Sequence, residues 1–166
     1  MGSFVCASSG EQVIYGIVAN VATVSIDPAR RVMALGATIG SEELLRREHP
    51  ELEQLLRTDF TVLTLGYREG RRTWQRLPPV PPQIHAFVRV AAEDEVKAFT
   101  SDLGFLATLL RNVEPGGDEA LAAALRRAAE CHGEARIFLV KAGRELARLL
   151  ASDGQRLQRV LGLLQG

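Results

Sequence analysis

Alternating apolar and polar positions dominate the first half of the chain, and a helical period dominates the second. Thr58 to Gly66 reads T-D-F-T-V-L-T-L-G. It sets Phe60, Val62 and Thr64 on one face and Thr61, Leu63 and Leu65 on the other, a strand expected to be buried on both faces or nearly so. Val13 to Ile26 is rich in β-branched residues and predicts one long or two short strands. Arg31 to Leu35, Ile84 to Val90 and Arg72 to Leu77 predict others. Tyr67-Arg68-Glu69-Gly70 has hairpin-turn chemistry, and Asp27-Pro28 marks a second turn. A helical insert begins at Ser41-Glu42-Glu43, where a hydroxyl cap and carboxylates suit the positive end of a helix. His49-Pro50 breaks and restarts it, with Leu52, Leu55 and Leu56 as its apolar stripe.

After residue 92 alanine, leucine, arginine and glutamate take over. Glu93-Asp94-Glu95 opens a helix, and Val96, Phe99, Leu103, Leu106 and Leu110 recur at helical spacing, with Gly104 placed to bend or split it. Glu114 to Asp118 is a loop ending in a capping aspartate. Leu121 to Ala129, Leu139 to Leu150 and Leu157 to Leu164 then supply three more apolar faces. Short loops near Gly133 and Asp153-Gly154 imply antiparallel packing. The expected fold is α+β: a small β-barrel over residues 1–91, with a helical insert near 41–57, and a C-terminal α-helical bundle over 92–166.

With 166 residues the chain suffices for one ordinary domain or two small ones. Apolar residues at 46% and charged residues at 24% place it among folding sequences. Twenty basic and twenty acidic side chains cancel, so any affinity for nucleic acid or an anionic membrane must come from a local patch. No apolar stretch spans a bilayer, and the N-terminus lacks a basic region followed by an apolar one. Cys6 and Cys131 cannot build a disulfide framework, so a reducing cytoplasm is the expected location.

The candidate chemistry is sparse. Neither lysine, Lys97 nor Lys141, follows a glycine, so the phosphate-cradling loop of a P-loop ATPase is missing. His49, His85 and His132 are scattered, and no metal-ligand spacing occurs. Cys131 and His132 are neighbours whose side chains diverge on a helix, so a helix-end histidine outweighs a metal ligand. His85 reads as a pairing or rim residue of its strand. Glu93-Asp94-Glu95 serves a helix dipole better than a nuclease centre. No nucleophile elbow is found. The chain is thus expected to be no enzyme and to need no cofactor or metal.

Two segments are more informative. Arg68, Arg71, Arg72 and Arg76 lie close together with Tyr67 and Trp74 interleaved. Guanidinium groups and aromatics on a hairpin can grip a nucleic-acid backbone and stack bases. An arginine-solubilised hairpin with Trp74 packed on the barrel explains the same pattern. Pro78-Pro79-Val80-Pro81-Pro82 is a polyproline II stretch. Its place between two strands makes it a path-fixing segment rather than a signalling ligand.

Taken together, Gly2-Ser3-Phe4-Val5, Val13 to Val18, Ser25 to Arg31, Leu35-Gly36, His49 to Leu52, Leu55 to Phe60, Gly66 to Gly70, Leu77 to Pro82 with Ile84-His85, and Glu95 to Thr100 resemble the HAS-barrel family, the HerA–ATP synthase barrel. Phe138 to Ala147 is similar to the small proteins that carry this barrel. The resemblance covers most of the chain and rests on the order and spacing of these segments. It implies a stand-alone barrel without the ATPase motor, and an accessory role in bacterial DNA end processing or repair. The implied partners are a HerA-like DNA translocase and a NurA-like nuclease, through which any contact with DNA would be made. Family members usually carry a segment before the Gly-Ser-Phe-Val stretch that supplies early strands. The barrel here is therefore expected to be open, trimmed or completed by another chain, which brings homo-oligomerisation within reach.

Overall fold

The structure, a computed structural model, describes residues 1–26, 41–48, 56–112 and 117–165. It is α+β. Five strands, β1 (Phe4–Ser9), β2 (Gln12–Ser25), β3 (Leu56–Glu69), β4 (Arg72–Trp74) and β5 (Val88–Val90), form one antiparallel sheet in the order β4-β3-β2-β1-β5. The described helices are α1 (Glu42–Glu48), α2 (Glu93–Thr100), α3 (Phe105–Asn112), α4 (Asp118–Cys131), α5 (Ala135–Leu149) and α6 (Gly154–Gln165). None is long and apolar enough to cross a membrane. Two compact units emerge, one of residues 1–20 with 61–166 and one of residues 21–60.

In the larger unit β1 and β2 make a tight hairpin, pairing Phe4 with Ile17 and Cys6 with Tyr15. β5 lies on the other side of β1, with Cys6 opposite Arg89 and Val5 opposite Val90. Thr73 of β4 and Arg89 of β5, from the two ends of the sheet, line one pocket, so the sheet curls into a half-barrel. Gly16 permits close approach of its neighbour: a Cβ there would stand 2.6 Å from the Leu63 carbonyl oxygen and 2.5 Å from Val62 Cγ1. The proline-rich run carries the chain from the β4 edge to the β5 edge, with Ser9 Oγ donating to the Pro81 carbonyl at 3.3 Å.

The inner face of the sheet and the helices share one core. Phe4, Tyr15, Ile17 and Leu65 pack with Phe99, Phe105, Leu121 and Leu125. The Tyr15 and Phe99 rings lie 5.0 Å apart, and Phe105 meets Phe99 at 5.8 Å and Phe4 edge-on at 6.3 Å. Asp118, only 5% exposed, ties α4 to α6 through Arg156 at 2.9 Å and Arg159 at 3.4 Å. In the smaller unit Ser41 Oγ accepts the Leu44 amide at the start of α1, as the cap motif predicts, and the Thr23 and Thr58 hydroxyls meet at 3.5 Å.

Several expectations are corrected. β3 is not buried on both faces: Leu65 and Tyr67 enter the core, but Phe60 is 50% exposed. Arg57 to Thr61 are exposed, and burial is confined to Leu65, Gly66 and Tyr67 near the end of the strand. The strand expected from Ile84 shortens to Val88–Val90. Ala86 N–H closes a turn on Gln83 O at 2.9 Å, and His85 takes φ 67°, a left-handed conformation that cannot continue a strand. The strand from Arg72 ends at Trp74, and the insert helix gives way to β3 by Leu56. The helix after residue 92 is split at Gly104 into α2 and α3, as that glycine predicts. Asp118 is the first residue of α4 after the cap position Gly117, and its carboxylate serves the arginines instead of the helix end. The strand at 31–35, the turn at 27–28, the His49-Pro50 break with Leu52 and Leu55, and most of the loop from Glu114 lie outside the described residues.

Candidate functional site

The β5 edge of the sheet and the pocket beside it bring together the chain's most unusual local chemistry. β5 has no strand on its outer side among the described residues. The Ala91 amide donates to Phe4 O at 3.0 Å. Since hydrogen-bonded pairs alternate along an antiparallel ladder, Arg89 also turns its backbone toward β1, while Val88 and Val90 turn theirs outward. The side chains around this edge are largely apolar and uncovered: Ile84 is 88% exposed, Phe87 94% and Val90 72%. Isolated exposed leucines are ordinary, but a run of such residues along an open edge marks an association surface.

Behind the edge lies a pocket of about 490 Å³, lined by Tyr15, Arg68, Thr73, Arg89, Glu95 and Phe99 among others. Arg89 grips Glu95 with both terminal nitrogens, at 2.7 and 2.8 Å, and the Ala92 amide donates to the same carboxylate at 3.0 Å. The Arg89 hydrogen bonds, with help from the Ala92 amide, hold the Glu95 carboxyl down to about 2. Cys6 is buried beneath, its Sγ 4.0 Å from a Glu95 oxygen. Burial first, and the Glu95 charge second, push its thiol pKa up, so the sulfur stays protonated and unreactive. Arg68 Nε donates to Tyr15 Oη at 3.2 Å and Nη1 to Gly70 O at 3.3 Å. Among the described residues no carboxylate forms an ion pair with Arg68.

The hairpin residues singled out from the sequence divide into three groups. Arg68 faces the pocket. Arg76 lies over the Trp74 ring, 4.4 Å from its centroid, and donates to Tyr67 Oη at 3.4 Å, so that face of the indole is occupied. Arg71 and Arg72 are exposed at the hairpin tip, which turns at Gly70 with φ 58°. The resemblance implies an open barrel but not that the free edge is β5, and the Arg89–Glu95 clamp has no counterpart in the sequence reading. The only local signal for either is the alternation Phe87-Val88-Arg89-Val90, which reads the same for a covered strand.

His132 caps the C-terminus of α4, stacks on Phe138 at 4.4 Å and lies 2.9 Å from Thr100 Oγ1 through Nε2. Thr100 donates its own proton to Val96 O, so the imidazole Nε2–H is the donor. Burial, then the charges of Lys97 and Lys141, depress its pKa. Among the described residues no three histidine, cysteine or carboxylate side chains converge to hold a metal ion.

Comparison with protein-family models, curated proteins and solved structures yields no match. The functional reading therefore rests on this geometry and on the segment resemblance.

Proposed function

We propose that the chain is a non-enzymatic docking module whose partner is a HerA-like DNA translocase, a NurA-like nuclease, or both, in bacterial DNA end processing or repair. The observation that carries the docking reading is the β5 edge, unpaired among the described residues, with Ile84, Phe87 and Val90 uncovered beside it. The segments resembling the HAS barrel support the choice of partner. Burying a fully exposed phenylalanine is worth about 2 kcal/mol, roughly 30-fold in affinity. Phe87→Ser should therefore weaken capture of a purified HerA-like ATPase or NurA-like nuclease from the same genome by about that factor, leaving the melting temperature unchanged. Titration calorimetry checks this, and equal affinity for both variants would refute docking at this edge.

A second reading, direct binding of nucleic acid by the hairpin, is favoured by one observation. Arg71 and Arg72 are exposed and make no ion pair among the described residues. If they contact phosphates, DNA affinity falls with added salt, and the Arg71→Ala, Arg72→Ala double variant lowers the salt slope by about 2. Fluorescence anisotropy over a salt series reads this, and a slope indifferent to the change rejects it.

A further inference from the structure

The pairing phase at β5 specifies what sort of strand the open edge accepts, an inference that rests on the docking reading above. Residues opposite each other on adjacent strands point to the same face of a sheet. Cys6 and Tyr15, in line with Arg89, point into the core side, and Arg89 itself lines the pocket. A residue added opposite Arg89 therefore projects into the same pocket, and its two neighbours come opposite Val88 and Val90 on the other face. On that face Val5 and Ala7 are already buried while Val88 and Val90 are 43% and 72% exposed, so apolar partners extend an existing apolar surface.

Charge decides the central position. Both Glu95 oxygens are already engaged by Arg89, and one of them also by the Ala92 amide. Asp94 sits in the first turn of α2, where the helix dipole offsets its charge. Arg68 is different: its polar contacts are the neutral Tyr15 hydroxyl and the Gly70 carbonyl, no carboxylate pairs with it among the described residues, and Glu95, already engaged by Arg89, acts on it only from a distance. The pocket thus offers a cation to an arriving anion. Arg89 stands opposite the incoming residue in a pair that is not hydrogen-bonded through the backbone on that side when the strand is antiparallel, and such pairs bring side chains closest.

We propose that the β5 edge takes an extended segment of a partner protein with the pattern apolar–acidic–apolar, its carboxylate entering the pocket to meet Arg68 beside Arg89. The added strand hydrogen-bonds to the outward backbone of Val88 and Val90, displacing the Arg89 Nη1 contact, 3.4 Å long, from the Val90 carbonyl.

The test uses the full chain and three synthetic peptides, Lys-Thr-Val-Glu-Val-Thr-Lys and its analogues with glutamine or lysine at the centre. Nuclear magnetic resonance follows amide exchange at Val88 and Val90 and the Nε resonance of Arg68. The glutamate peptide is expected to bind roughly tenfold more tightly than the lysine peptide, to slow exchange at both valines and to shift Arg68. Arg68→Gln should erase the preference for the glutamate peptide over the lysine peptide. Equal binding of the three peptides with both valines protected would overturn the acidic pattern and leave edge docking standing. No protection by any peptide would overturn the proposal, and the docking reading would then stand or fall on Phe87→Ser with purified partners. Protection of Val88 and Val90 that grows with protein concentration alone would overturn it in favour of a second copy of this chain.

Discussion

Glu95 accepts two hydrogen bonds from Arg89 and one from the Ala92 amide, and lies 4.0 Å from a buried thiol. This one carboxylate joins β5 to the start of α2. Its pKa drops from the ordinary 4.5 to about 2, so the ionised form is favoured by the fold. The resulting stabilisation is complete above about pH 4.5 and is lost as pH falls from there toward about 2. Glu95→Gln should lower the melting temperature at neutral pH and flatten its decline through that acidic window. Melting followed by circular dichroism across pH checks this, and parallel curves for both proteins would show that the Arg89–Glu95 pair contributes nothing. The carboxylates of Glu93-Asp94-Glu95 were legible as a helix start, and Glu95 does reach back to the Ala92 amide. Its larger role depends on Arg89, whose placement opposite Cys6 no local pattern reveals.

At the scale of elements, the joint between α2 and α3 is organised by a residue from outside both. Gln75, just after β4, donates through Nε2 to Phe99 O at 2.8 Å and to Asp102 O at 2.7 Å, and accepts the Phe105 amide at 2.6 Å. It thereby satisfies backbone groups at the end of one helix and the start of the next. Gly104 signals the break, and Asp102 Oδ1 accepts its amide at 2.8 Å. Nothing in the sequence links Gln75 to that break, because a lone glutamine after a strand carries no spacing signal. Gln75→Ala leaves partly buried backbone groups unpaired and should cost about 1–3 kcal/mol. Urea unfolding monitored by tryptophan fluorescence measures it, and a loss below about 0.5 kcal/mol would mean water replaces the amide without penalty.

For the whole molecule, the sheet's inner face and the helices are two halves of one apolar interior. Phe4, Tyr15, Ile17 and Leu65 have Phe99 and Phe105 as neighbours in the core. A fragment of residues 1–91 therefore exposes much of the inner sheet face, and it should melt without a cooperative transition. Calorimetry on that fragment checks the expectation. A sharp transition would establish that the β-rich half is autonomous.

What local pattern determined here is considerable: the α+β class, the β3–β4 hairpin, the start of α2 and the faces of α4, α5 and α6. Those features depend on side-chain period, turn chemistry and capping, which act over a few residues and are written along the chain. Tertiary structure alone decided three others. Strand order places β5 beside β1 and leaves its outer side open among the described residues, because sheet neighbours are chosen by long-range pairing. The half-barrel brings Arg68 and Arg89 to one pocket across 21 sequence positions, 68 to 89. Burial of β3 only near its end leaves Phe60 half exposed, because hydrophobic alternation states which residues can share a face and packing decides which part of the strand is covered.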